Sequence, residues 1–560
     1  MRPMLLALQL LPACAMAQEA GLPQGGQGAL PRKGLQALRT TDPIVADGAL
    51  NEPAWASAAV ATDFIQNEPR PNEPSRYRTE VRVLFSDHAL HIGAILFDRP
   101  DSVMLRLSGR DQLGITDWFS ITLDPYKSGR NGFQFAVTAA GVQFDAIVAN
   151  EQADENWNAV WHSAAAIVEQ GWVAEVTIPY SAFRFPKADA HGWSVQFMRL
   201  VGRSREKSAW NPIDPLQEGW LRQCGVLTGI GDIDAPLRLM LLPYASAYVQ
   251  HHHASDPGAS PWARTLNGGM DVKLGLSDAY TLDMTLIPDF GQVVSDNVVL
   301  NLSPFEVFYN ENRQFFTEGT ELFQRGGIFY SRRIGGAPKL RGDLYASLGE
   351  GDRIVDDPGV SKLINATKIS GRGAKGLGFG MLNAITRATY GTIADSLGNE
   401  RRVLTDPLTN YNVIVLDQQL PHNSYASAIN TNATREGPVA DANTTAIDFV
   451  LNNKARTLKG SGAARLSQQY GDGVPRLPGH AIEARLDKTG GAWTYGSAYS
   501  EVSPRFNPND LGYWRFTNYR GAEWGLSYTS YKPKSPWQRW GASFEGEYLR
   551  VIEPGHFFNL

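Results

Sequence analysis

The chain has 560 residues, 52 basic and 57 acidic side chains for a net charge of −5, and two cysteines. Charged residues are 19% of it, below the ~25% of an ordinary soluble domain, while 55 Gly, 24 Phe, 20 Tyr and 14 Trp suit extended β structure. The mild acidity gives no electrostatic footprint for a nucleic-acid binder, so no nucleic-acid partner is expected. Beyond the first residues no run of ~18 apolar residues offers a spanning helix.

Residues 1–17 place Arg2 before an apolar stretch and end in Ala15-Met16-Ala17. This predicts a secretory signal peptide cleaved before Gln18. A lipidated Cys14 is the alternative, poorly served by Pro12. Cleavage leaves Cys224 as the sole thiol, so no intrachain disulfide is expected. That suits a large envelope protein better than a small stapled domain. Residues 18–40, opening on a Gly- and Pro-containing stretch, read as a flexible lead-in.

From 41 to 235 short β-rich runs alternate with turns: 81–85, 89–97, 118–123, 132–138, 142–148, 172–178 and 194–201. This spacing predicts an antiparallel β-sandwich. After Pro236 the pattern changes. Leu282, Met284 and Leu286 oppose Asp283 and Thr285; Ile447, Phe449 and Leu451 oppose Asp448 and Asn452; Ile482, Ala484 and Leu486 oppose Glu483, Arg485 and Asp487. Recurrent alternation of this kind, with aromatics near strand ends (Trp493, Tyr495, Trp524, Tyr528, Trp537, Trp540), predicts a transmembrane β-barrel in contact with outer-membrane lipid. A water-soluble sheet with one buried face alternates in the same way. At roughly 23 residues per strand and connection, 236–560 accommodates about 14 strands. The fold class is therefore all-β, a sandwich followed by a barrel. The terminal run 554–560 does not read as a final alternating strand, so either closing strands are missing from the chain or the barrel ends in a loop. Residues 290–335 are too long and polar for a strand; Glu306, Glu311, Arg313, Glu318, Glu321, Arg332 and Arg333 stand among Phe and Tyr. They read as a plug or a long loop.

Two stretches carry resemblances. Residues 47–55, DGALNEPAW, and 171–179, GWVAEVTIP, resemble the opening and a later strand of family 9 carbohydrate-binding modules. Residues 286–319 and 329–335, FYSRRIG, resemble a family of bacterial outer-membrane proteins that join such a module to a C-terminal barrel domain of unknown function. Its members are often longer than this chain. The resemblance implies carbohydrate binding at the cell surface and no proven activity.

A sugar site needs flat aromatic faces beside hydroxyl-binding polar groups. The run 150–161 supplies both: Trp157 and Trp161 as stacking candidates, with Asn150, Glu155 and Asn158 as polar partners. Arg110, Asp117 and Asn131 are further candidates. Glu175, alternating in a strand, reads as structural. Glycoside hydrolysis would need two carboxylates about 5–9 Å apart, which spacing alone does not pair. No nucleophile elbow, phosphate loop, dinucleotide fingerprint or zinc spacing appears. No cofactor is expected; calcium at the Asp87 and Asp98 turns has weak support. The sequence thus predicts an outer-membrane protein that binds poly- or oligosaccharide for capture, uptake or breakdown. The alternatives are a secreted glycoside hydrolase acting on O-glycosyl bonds, or a structural or export barrel with a protein-binding sandwich.

Overall fold

The computed structural model describes residues 32–559 except 130, 150, 151, 156, 187–189, 216, 218, 234–238, 252–261, 278, 289–305, 310, 312, 318, 320, 374, 472–477, 531–538 and 556. The expected signal peptide lies outside these residues, as does Asn150.

The N-terminal half is a sandwich of a nine-stranded and a six-stranded sheet. Apolar side chains at every second position face inward because each strand buries one side. Val81, Val83, Ile92, Ala94 and Leu96 of one sheet share a core with Phe119, Ile121, Phe135, Val137, Val195 and Phe197 of the other. Not every pairing is antiparallel. Gly34–Gln36 pairs in parallel with Gly225–Gly231, and Leu38–Arg39 pairs in parallel with Thr79–Phe85. The first described residues therefore clip both sheets, with Leu35 and Ala37 buried between them, so 34–39 belong to the sandwich and not to the flexible lead-in expected over 18–40. At one end Arg199 is fully buried and ties the sheets. It donates to the carbonyls of Arg78 and Phe97 at 3.0 Å and to Thr79 Oγ1 at 3.1 Å.

The two module-like motifs meet in space. The backbone N–H groups of Asp47 and Gly48 donate to Glu175 Oε2 at 3.1 and 3.2 Å. Glu52 accepts the Trp55 indole N–H at 3.0 Å, and Trp55 packs with Ala58 and Leu84 in a second core on the outer side of the smaller sheet. Gly93 permits this close approach: a Cβ there would fall 2.6 Å from Leu50 Cδ2. These motif residues hold the fold together, and Glu175 is structural.

The C-terminal half is a fourteen-stranded antiparallel sheet, matching the expected strand number. Its strands follow chain order from Leu239–His251 to Phe557–Asn559; a separate three-stranded sheet (Arg353–Asp356, Thr389–Ala394, Glu400–Asp406) interrupts the sequence but not the order. The terminal run does pair: Phe557–Asn559 lies against Leu549 and Arg550. Among the described residues the first and last strands are not paired with each other.

The faces of this sheet are inverted relative to a soluble protein. Ile414, Leu416, Ile447, Phe449, Leu451, Ile482, Leu486 and Phe544 are exposed, whereas Asp283, Lys368, Asp417, Asp448 and Arg465 are buried. The covered face wraps the segment 306–340. Leu322 and Phe323 approach Gly378 and Gly380, Arg325 approaches Asp417, Gly326 lies against Ile429 and Ala446, and Arg465 donates to the Gly326 carbonyl at 2.5 Å. These few residues touch five successive strands, a width of roughly 19 Å if flat, so the sheet curves around them. Phe316, Leu322, Phe323, Ile328 and Ile334 share a core with Leu382, Val413, Val415, Ile429 and Ala446 of the wall. The segment's charges are paired: Glu306 with Arg333 at 2.8 Å and Glu311 with Arg313 at 2.7 Å. Arg325 and Arg372 contact opposite oxygens of the fully buried Asp417 at 2.8 and 2.5 Å.

Candidate functional site

A cavity of about 1640 Å³ lies between the sandwich edge and the covered face of the large sheet. Its sandwich side comes mainly from three stretches: 125–128 with 131–133, 152–155 with 157–160, and 181–184. The first is pinned by Asp124, buried at the end of its strand. Its carboxylate accepts the N–H groups of Tyr126 and Gly129 at 3.1 and 2.7 Å and the Ser128 hydroxyl at 3.3 Å. Burial raises the Asp124 carboxyl pKa above the usual range. Ser128 Oγ then accepts the Asn131 N–H at 3.2 Å, which places Asn131 at the rim.

The second segment is organised by Asp145. This fully buried carboxylate accepts the Ala159 N–H at 2.6 Å and the Trp161 indole N–H at 3.1 Å, and is ion-paired with Arg110. Arg110 also donates to Gln143 Oε1 at 2.5 Å. The loop is thus held by a charged clamp that brackets the cavity-lining residues. Trp157 lies in the cavity wall, 5.4 Å from the Phe133 ring and 5.8 Å from that of Phe135.

The candidate residues divide. Asn131, Glu155, Trp157 and Asn158 line the cavity. Trp161 does not: it is buried in the core, edge-on to Phe135 at 5.4 Å, and offers no free ring face. Trp157 is 6% exposed, so it supplies an apolar wall and not an open platform. Arg110 is a clamp for the loop. Asp117 is buried away from the cavity, where it accepts the Gly202 N–H at 2.7 Å; burial raises its carboxyl pKa. The acidic turns proposed for calcium hold arginines instead: Asp87 pairs with Arg39, and Asp98 with Arg203 at 2.6 Å. Among the described residues no group of three or more His, Cys, Asp or Glu is gathered as for a metal.

Sequence reading missed Tyr126, Phe133, Phe183 and Arg184, which complete the sandwich wall, and the whole opposite wall. That wall includes Leu239, Lys273, Asp283, Arg372 and Gln419 of the large sheet, and Phe316, Glu321 and Phe323 of the inner segment. Glu155 sits at the polar rim, and partial burial together with the charges of Asp111 and Asp154 raises its carboxyl pKa. The result is a concave surface mixing aromatic edges with amides, carboxylates and cations. It exceeds the ~300–1,000 Å³ of a typical small-molecule site, so it accommodates an extended ligand.

An all-β protein with an aromatic-walled sandwich and an inverted, wrapped sheet is thereby defined. The family model described as "Domain of unknown function (DUF5916)" matches residues 235–560, and the chain belongs to that family. No protein of curated function matches it. Among solved structures it is similar to a family 9 carbohydrate-binding module from Caldicellulosiruptor kristjanssonii in complex with cellotriose, at 14% identity over 36% of this chain and 96% of that one, TM-score 0.27. It is also similar to a putative carbohydrate-binding protein from Bacteroides uniformis, at 13% identity over 35% and 99%, TM-score 0.30. A third is Pseudomonas aeruginosa OpdQ, at 9% identity over 78% and 80%, TM-score 0.26. Likenesses of this depth carry no argument about ligand or activity.

Proposed function

We propose that the protein is an outer-membrane β-barrel that binds an oligosaccharide in the cavity shared by its sandwich and its lumen. The observation that carries the reading is the composition of that cavity. Trp157, Phe133 and Phe183 present apolar edges, and Asn131, Glu155, Asn158 and Arg184 present hydrogen-bonding groups around them. Sugar rings, with apolar faces and hydroxyl rims, match such a surface. The volume favours several linked residues over one. The membrane part of the reading rests on the inverted sheet, whose exposed face carries Ile447, Phe449, Leu451, Leu486 and Phe544. Exposed apolar area on this scale marks an interaction surface or a bilayer contact. Closure of these strands into a barrel would meet the bilayer's demand that every backbone group be paired.

The test is a glycan array probed with the full chain in detergent, beside a Glu155→Gln/Asn158→Ala double variant. Both positions are exposed, so the fold tolerates the changes. Binding of an oligosaccharide class by the parent that weakens about tenfold or more in the variant, equivalent to ~1.4 kcal/mol, supports the proposal. Binding that is equal in both sinks the assignment of this cavity. Fractionation with outer membranes and heat-modifiable migration on gels test the barrel separately.

A further inference from the structure

We infer that the cavity opens toward the periplasm, so that its ligand is a glycan present in the periplasmic space and not one captured at the cell surface. The inference rests on the membrane reading above and adds its direction. The long connections of the large sheet all fall at one of its two ends. At one end are 276–279, 373–376, 421–423, 453–457, 489–492 and 531–539, none longer than nine residues; at the other are the long 287–362, 387–408 and 503–518 beside the shorter 252–261, 436–440, 471–478 and 552–556. Outer-membrane barrels keep short turns in the periplasm and long loops outside. The sandwich is attached at the short-turn end: Leu239, the first residue of the sheet, pairs with Leu274, next to the 276–279 turn.

The link cannot carry the sandwich elsewhere. Seven residues separate Gly231 from Leu239, a reach of at most about 29 Å, against the ~40–45 Å of a bilayer with its headgroups. The strand-end part of the cavity's wall, Gly275, Ala279, Gly371, Gly373 and Gln419, comes from that same end, and the wall continues inward along the inner segment to Tyr330 and Tyr513.

The space between the two ends is occupied. The segment 306–340 enters from the long 287–362 connection and is fixed to the wall by Arg325 at Asp417 and by Arg465 at the Gly326 carbonyl. Phe316, Leu322 and Phe323 of this plug form part of the cavity's surface. A glycan arriving from outside meets the plug before it meets the cavity.

Thiol labelling in intact cells of a diderm host tests the direction, using the full chain with one added cysteine. Glu169→Cys lies in an exposed sandwich turn, and Leu397→Cys at the exposed tip of the long-loop-end hairpin; the native Cys224 is buried. With a membrane-impermeant maleimide, Leu397→Cys is expected to label in intact cells, and Glu169→Cys only after the outer membrane is permeabilised. The reverse pattern overturns the inference and leaves the barrel standing. Labelling of both or of neither in intact cells overturns the membrane reading, and the inference falls with it.

Discussion

Glu175 offers the sharpest test of how the sandwich is held. Its carboxylate is fully buried, and its Oε2 accepts two backbone N–H groups while Oε1 has no partner. Burial pushes its pKa up to about 7, from an ordinary 4.5, against the two N–H donors that favour the charged form. A carboxyl with a raised folded-state pKa contributes stability that is complete below its unfolded pKa and lost as pH rises through the folded one. The sandwich should therefore be most stable below about pH 4.5 with respect to this group, and weaken between there and about pH 7. At ~1.36 kcal/mol per pH unit the loss is about 3 kcal/mol, a large part of a typical 5–15 kcal/mol. Glu175→Gln keeps an acceptor for the Asp47 and Gly48 N–H groups and removes the charge. It should stabilise the sandwich by about 1–3 kcal/mol at pH 8 and do little at pH 4. Cys224, buried within the sandwich, provides the assay: the urea midpoint for its maleimide labelling, in chain lacking residues 1–17 and refolded in detergent. A Gln variant with a lower midpoint than the parent at pH 8 refutes the reasoning, because it would mean that the charge is stabilising where it sits.

Other substitutions probe packing, plug and loop. At Gly171, φ is +142° and a Cβ would fall 2.2 Å from the Leu96 carbonyl oxygen, so Gly171→Ala should cost about 3 kcal/mol or more. Gly34→Ala, where nothing lies within 4 Å, should change stability by no more than ~0.5 kcal/mol; the same labelling midpoints compare them. Asp417→Asn leaves Arg325 and Arg372 facing a neutral group and should loosen the plug by about 3 kcal/mol, seen as more frequent open events in planar-bilayer recordings; unchanged conductance would count against the latch. Asp145→Asn weakens the clamp that holds 157–161 and should reduce glycan affinity about tenfold although the residue does not touch the ligand space, as titration of the solubilised protein would show.

The large sheet was legible because inversion of its faces leaves period-2 patterning intact and merely reverses which side is wet. Ile447 and Phe449 against Asp448 announce that in the sequence, and the structure exposes the first two and buries the third. The site was legible only in part. Asn131, Glu155, Trp157 and Asn158 converge, but a loop with two tryptophans reads alike whether its rings face solvent or core. What turns Trp161 inward is Phe135 and the buried Asp145, on strands that spacing along the chain does not bring together. Arg110 looked like a ligand group for the same reason: its partner Asp145 is 35 residues away. The opposite wall was not legible at all, because strand ends such as Lys273 and Arg372 line the same cavity as the sandwich edge only by tertiary placement, which no spacing along the chain records. The parallel clips at Gly34–Gln36 and Leu38–Arg39 are too short to show any period.

The claim that sandwich and lumen enclose one oligosaccharide site is tested most directly by hydrogen exchange of the full chain with and without a glycan that the array identifies. Protection should rise together in 125–128, 131–133, 152–155, 157–160 and the strand ends at 370–373 and 376, which contribute to the same cavity. Protection confined to one half of the chain, or centred on segments outside that cavity, would contradict it.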